Sequence, residues 1–398
     1  MVRFGAMRTA DVVIVGGGCM GAAAAYYLAR HGAGEIVLVE RESQLGTGST
    51  GRNAGGVRHQ FSDPANIALS RESIALFARF EAEIGSPIDF WQDGYLFLLS
   101  TAASEQAFRA SVAVQRAHGV DVQWLSGDEA AAMTPGLDAT GVRAATFCAA
   151  DGIADPNGVT MGLVRAAQRC GGLTVLRDTE VTGIDVSAGR VAGVTTSIGP
   201  IATRTVVDAA GPWAGQVATM AGVVLPVVPE RRHIFIAQPA PGASWDDAAY
   251  AGRTPSSRLM VIDFDTTFYF HREGAGLLFG MGDKSERPGF DTTVRWDFLP
   301  EVTDAAVGRL PALADASVTH AWAGLYEMTP DHNPVIGGLG IDGLFAIAGF
   351  SGHGFQHAPA AGRLLADVML GRDPGMDLAP FAFARFAGGR ARGEHHVV

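Results

Sequence analysis

Lysine is almost missing from this 398-residue chain, which has only Lys284, and its 30 basic residues are outnumbered by 41 acidic ones. A formal charge of -11 argues against a nucleic-acid or anionic-membrane partner, because both need a basic face. Cysteine is equally scarce. Cys19, Cys148 and Cys170 are too few and too scattered for a disulfide framework or a zinc site, which points to a reducing, cytoplasmic setting. Each reads as a small buried hydrophobe, and no metal site is expected. A long apolar run is also lacking: the uncharged stretch from Val12 to Ala29 is broken by Gly16-Gly17-Gly18, so it reads as strand, turn and helix, not as a membrane span or signal peptide. Charged residues make up 18% and apolar ones 47%, enough for a large core and two or three domains around a small-molecule site.

Short β-branched runs alternating with helix-length segments place a strand at Asp11–Val15, a helix at Met20–His31 and a strand at Glu35–Glu40, a βαβ unit. Ser62 or Asp63 with Pro64 starts a helix whose apolar face, Leu69 to Ile84, ends at Gly85, and Asp155-Pro156 starts another that runs to about Arg169. Leu173–Ala210 reads as short strands returning to the first sheet. Alternation in Arg232–Ile236 and Phe268–His271 predicts a second, antiparallel sheet with one solvated face. Gly343–Gly349 reads as a strand, followed by a Gly-rich loop and a helix from about Ala358 to Leu370 with Pro359 in its first turn. The residues before Met7 read as a loose extension and those after Gly388 as a frayed tail.

Gly16-x-Gly18-x-x-Gly21 sits between the first strand and helix, where glycines allow a tight turn, close approach to a pyrophosphate and close helix–strand packing. The helix N-terminus then faces the phosphates. Glu40 ends the second strand where a carboxylate accepts hydrogen bonds from a ribose. A second Gly-rich segment, Gly46 to Arg58, is longer than an NAD half-site needs and can follow an extended cofactor toward its reactive ring.

These motifs, with Gly48-Ser49-Thr50-Gly51-Arg52, Asp151-Gly152-x-x-Asp155-Pro156, Val207-Asp208-Ala209-Ala210-Gly211-Pro212-Trp213, Tyr326-Glu327-x-Thr329-Pro330-Asp331 and Gly349-Phe350-Ser351-Gly352-His353-Gly354-Phe355, resemble the D-amino-acid oxidase-like flavoproteins over most of the chain. The nearest branch is that of sarcosine oxidase and proline dehydrogenase β subunits. The resemblance implies an α/β fold: a Rossmann-like FAD-binding domain from residues 8–90, 150–225 and 326–388, interleaved with an α+β substrate domain from 91–149 and 226–325 whose antiparallel sheet covers the flavin. It assigns to FAD the residues Gly16, Gly18, Gly21, Glu40, Arg41, Gly48, Ser49, Thr50, Arg52, Asn53, Gly55, Val181, Ala210, Gly211, Trp213, Gly349, Gly352, His353, Gly354, Phe355 and Gln356.

For substrate, Arg58 aligns with a carboxylate-binding arginine, Gln356 replaces a lysine that shares that task, and Tyr269 lies where relatives place a substrate-facing tyrosine. Arg272 is a further carboxylate candidate. Tyr326 stands where glycine and D-amino-acid oxidases carry a carboxylate clamp, so the implied substrate is a small N-methylated or cyclic secondary amino acid. A glycine or D-amino-acid oxidase, or a flavoprotein subunit or assembly factor acting through a partner protein, are the alternatives. Covalent attachment residues of relatives have no counterpart, although His59 lies nearby, so FAD is expected to be noncovalent. The oxygen-activating lysine of relatives would align near Leu278, which implies an acceptor other than oxygen.

Overall fold

The computed structural model describes residues 8–388 and 393–397; the extension before Met7 lies outside the described residues. Val12–Val15 and Ile36–Val39 are buried at every position, and this two-sided burial is why they read as unbroken β-branched runs. They pair in parallel at the centre of a six-stranded sheet. Leu173–Leu176, Val206–Asp208 and Leu344–Ala348 extend it in parallel, and Val335–Gly338 closes one edge antiparallel.

One face of this sheet is covered by the helices Cys19–Arg30, Pro156–Cys170 and Gly354–Met369. Small residues set their spacing: Ala22 to Ala25 are fully buried, and a side chain at Gly362 would begin 2.5 Å from the Ala23 Cβ. The other face carries the hairpin strands Val181–Ser187 and Arg190–Thr196, with Gly199–Ala202 and the short helix Ala214–Met220.

The second sheet has eight strands, in the order Ser317–Met328, Val228–Gln238, Gly276–Met281, Phe268–Glu273, Met260–Asp263, Tyr95–Leu99, Ala144–Cys148 and Gln123–Leu125. It departs from the sequence reading in two ways. Met260–Asp263 and Tyr95–Leu99 run parallel, so the sheet is mixed. Its polar alternating face is not solvated either. Phe235, Phe268, Phe270 and Phe279 pack on the helix Leu299–Arg309 on one side, whereas Arg232, Ile234 and Tyr269 line a cavity on the other. Period-2 alternation marks two different faces but cannot say whether the more polar one meets water or an internal pocket.

The apolar stripe from Leu69 to Ile84 is divided between two helices, Pro64–Phe77 and Phe80–Ile84. Asp63 caps the first through Ala65 N at 2.7 Å, and Gly85 ends the second at φ 71°. Ala78 and Arg79 part them without any break in hydrophobic spacing to announce it.

Candidate functional site

A cavity of about 580 Å³ opens between the two sheets. One end lies where Val12–Val15 and Ile36–Val39 deliver their C-terminal ends, as expected for an open α/β sheet. Gly16 turns the chain at φ 109°, and a side chain at Gly21 would begin 1.9 Å from the Gly16 carbonyl oxygen. A Cβ at Gly18 would meet only Thr50 Oγ1, at 3.1 Å, and Gly18 lines the cavity. Glu40 accepts from Gly17 N at 2.7 Å and Glu42 N at 2.9 Å, which fixes its carboxylate at the rim.

The second Gly-rich segment is clamped to the eight-stranded sheet. Ser49 Oγ donates to the Leu325 carbonyl at 2.6 Å, and Arg52 Nη1 to the Ala323 carbonyl at 2.8 Å. Thr50 Oγ1 accepts from Cys19 N at 3.1 Å. Gly48, Ser49, Thr50, Arg52 and Asn53 line the cavity, as do Arg41, Val181, Ala210, Gly211 and Trp213. The Arg41 guanidinium stacks 3.8 Å above the Trp213 ring.

Three residues assigned to the cofactor stand behind this wall. Gly21 serves helix–strand packing, as its contact with Gly16 requires. Gly55, at φ 74°, lies against the Ala154 carbonyl. Gly349 gives its N–H to Glu327 Oε2 at 2.9 Å. Gly-rich motifs mark close backbone approaches, but not which partner is approached.

At the far end the helix begins at Gly354 and not near Ala358, so its N-terminal turn is part of the loop itself. Pro359 therefore falls inside the helix, and the following Ala360 N–H is held by Ser73 Oγ at 3.2 Å. Gly352, Gly354 and Phe355 line the cavity. Gly352 is required at φ 93°, where a Cβ would lie 2.2 Å from the Tyr326 ring. His353 is buried among Phe61 and His357, and neither of its ring nitrogens has a partner. Burial holds it neutral, well below the usual histidine range.

Gln356 and Tyr269 both line the cavity. Gln356 Oε1 accepts from Arg58 N at 2.6 Å. Tyr269 is joined by Tyr95 and Tyr326; burial pushes all three phenols up, so they stay protonated. Arg58 is in the wall too, but its guanidinium donates to the carbonyls of Gln60 and His396 and stacks 3.8 Å over Phe61.

The chain end is thus a correction to the expected frayed tail. Residues 389–392 and 398 lie outside the described residues, yet Glu394 and His396 are buried. Glu394 accepts from Ser62 Oγ at 2.6 Å and Asp63 N at 3.0 Å, ahead of the Pro64–Phe77 helix. The His396 ring stacks on Phe108 at 4.0 Å, and Val397 reaches the cavity wall. Polarity and glycine made this segment look loose; its anchors, near positions 62 and 108, are far away in sequence and invisible locally.

Arg272 pairs with Asp246 at 3.0 Å and lies off the cavity. Leu278 is buried and Lys284 exposed. His59 Nδ1 sits 2.6 Å from Asp151 Oδ1. That carboxylate also accepts from His59 N at 2.8 Å and Gln60 Nε2 at 3.2 Å, so the cluster with Cys148 locks the loop after Arg58. Sequence reasoning missed Tyr95, Arg232 and Ile234, although alternation already placed the last two on one face.

A turn whose Gly18 leaves its backbone open to the cavity, and a buried histidine whose ring nitrogens lack hydrogen-bond partners at the opposite end, fit an elongated dinucleotide with a polar ring system. The family model "FAD dependent oxidoreductase" matches residues 11–368. The chain is 32% identical to FAD-dependent oxidoreductase domain-containing protein 1 of Bos taurus, over 98% of this chain and 87% of that protein. It is 29% identical to the mitochondrial sarcosine dehydrogenase of Mus musculus, over 95% of this chain but 41% of that protein. Its fold superposes on the L-proline dehydrogenase from P. horikoshii with a TM-score of 0.87, at 32% identity, covering 97% of this chain and all of that one.

Proposed function

The chain belongs to the FAD-dependent oxidoreductase family, and from that premise we propose that it oxidises the C–N bond of a small amino acid whose nitrogen is N-methylated or part of a ring. Bound FAD supplies the two-electron acceptor for the hydride that leaves the carbon next to nitrogen. The imine so formed is then hydrolysed by water. The observation that carries the reading is the wall made by Tyr95, Tyr269 and Tyr326 with arginines among them. Aromatic faces suit an alkylated nitrogen and its apolar substituents, and a guanidinium suits a carboxylate. Protonated phenols contribute no negative charge that would hold the amine as its unreactive cation. The resemblance to a sarcosine dehydrogenase and an L-proline dehydrogenase supports the same substrate class.

The residues that would hold FAD are those of the cradle, the second Gly-rich segment and the Gly352–Gln356 loop. The loop belongs to a helix N-terminus, whose positive end favours anionic charge on the reduced cofactor. His59 lies off the cavity, its Nδ1 bonded to Asp151, and burial raises the Cys19 thiol to about 11, so neither is placed as an attachment nucleophile. Acid precipitation of the yellow protein is therefore expected to leave FAD in the supernatant; colour that stays in the pellet would show a covalent bond.

The substrate reading is tested by mixing the holoenzyme anaerobically with sarcosine, N,N-dimethylglycine, L-proline, glycine or D-alanine and following the flavin absorbance. Bleaching by at least one of the first three, with glycine and D-alanine inert, is the expected result. Bleaching by glycine or D-alanine alone would replace this reading with that of a primary-amine oxidase.

A further inference from the structure

We propose that Arg232 is the residue that binds the substrate carboxylate, an inference that rests on the amino-acid reading above. Among the described residues, four arginines line the cavity: Arg41, Arg52, Arg58 and Arg232. The first three are committed. Arg41 stacks on Trp213 and pairs with Glu42. Arg52 donates to the carbonyls of Thr47 and Ala323. Arg58 donates to those of Gln60 and His396 and lies flat on Phe61. For Arg58 to take a carboxylate, it would have to give up two buried carbonyls, leaving that of His396 unpaired and that of Gln60 with only the His396 ring.

Arg232 is different. Its guanidinium sits 4.8 Å over the Tyr326 ring, against one of the three tyrosines of the proposed substrate wall. Nη1 is held by the Arg231 carbonyl at 3.0 Å. Nε is buried with no partner at all, and Nη2 reaches only Glu230 Oε2, at 3.3 Å. Nε–H and the Nη2–H beside it form one edge of the planar fork, the edge that receives the two oxygens of a carboxylate. One of its donors is therefore orphaned and the other weakly held. A small carboxylate arriving from the cavity would satisfy the first and compete with Glu230 for the second, whose bond at 3.3 Å is long for a charge-assisted pair. Backbone pairing supports the placement: Arg232 faces Gly324 across the sheet, next to Leu325 and Tyr326, so no bulky neighbour on that strand blocks the guanidinium.

The test uses FAD-loaded protein and two probes that cannot be oxidised at nitrogen, methoxyacetate and its uncharged amide, titrated by flavin difference spectra and calorimetry. Arg232→Ala is expected to weaken methoxyacetate roughly 30- to 1000-fold, as for loss of one partner of a buried charged pair. Methoxyacetamide should stay within about twofold, since it offers no charge to lose. Arg232→Lys should recover part of the loss, and Arg58→Ala should not reproduce the distinction between the two probes. Unchanged methoxyacetate affinity in Arg232→Ala would overturn the proposal, as would equal loss of both probes or failure of the wild type to bind methoxyacetate. Failure of the substrate reading looks different: the wild type would bind methoxyacetate through Arg232, yet none of the N-alkylated amino acids would bleach its flavin.

Discussion

Gly18→Val is expected to give a folded, colourless protein. Three glycines share the first fingerprint, but only this one separates binding from folding. At Gly16 the backbone has φ 109° and a Cβ would lie 2.4 Å from the Ala209 carbonyl oxygen; at Gly21 it would lie 1.9 Å from that of Gly16. Substitutions there strain the turn or force the first helix off its strand. At Gly18 the backbone is extended, with φ -77° and ψ -175°, open to any residue. A Cβ there meets only the Thr50 hydroxyl, and the rest of a valine side chain must enter the cavity where the backbone would otherwise approach a pyrophosphate. Far-ultraviolet dichroism should match the wild type while the flavin absorbance disappears. A Gly18→Val protein that purifies with stoichiometric FAD would mean that the dinucleotide does not lie against this turn.

The same contrast between local and distant determinants explains how much of the molecule could be read from its sequence. The strand Val12–Val15, the glycine turn and the helix from Cys19 are specified by adjacent residues, so periodicity and glycine spacing located them to within about a residue. Gly352 and Tyr326 were both visible as members of motifs, but the reason for the glycine, a tyrosine ring 2.2 Å from its absent Cβ, depends on two segments meeting. Arg232 shows the opposite error. Its place in an alternating strand was legible, yet the polar side was read as solvated because alternation carries no information about what covers a face. The buried Glu394–Val397 segment was beyond reach, since its carboxylate caps residues near position 62 and its carbonyl takes the Arg58 guanidinium. Those contacts also change the meaning of Arg58: alignment makes it a carboxylate ligand, whereas the geometry spends it on the main chain.

Replacing Glu327 with Gln is expected to make the apoprotein more stable at pH 8 while leaving it nearly unchanged at pH 4. Glu327 is buried in the cavity wall. Burial raises its carboxyl from 4.5 to about 7, against the opposing hydrogen bonds from the Gly349 and Phe350 N–H groups. The folded chain therefore holds this proton more tightly than the unfolded chain does. Below pH 4.5 both states are protonated and the group has no differential effect. As pH rises from there to about 7, the unfolded state ionises first and stability is lost, after which the loss levels off. A shift of that size corresponds to a loss on the order of 3 kcal/mol at 1.36 kcal/mol per unit. Asp208, fully buried with Oδ2 unpartnered, is shifted in the same direction mainly by burial, whereas burial lowers His271, His353, His357 and His396 and works in the opposite sense over this range, so the Glu327 contribution is read from the difference between the two proteins. Gln keeps the shape and can accept from the same two N–H groups, but it cannot ionise. Urea unfolding of the FAD-free proteins across pH 4 to 8 should show the stability of Glu327→Gln rising relative to the wild type between about pH 4.5 and 7 and then levelling off. Parallel pH profiles for the two proteins would mean that the Glu327 carboxyl is already ionised in the folded chain at neutral pH.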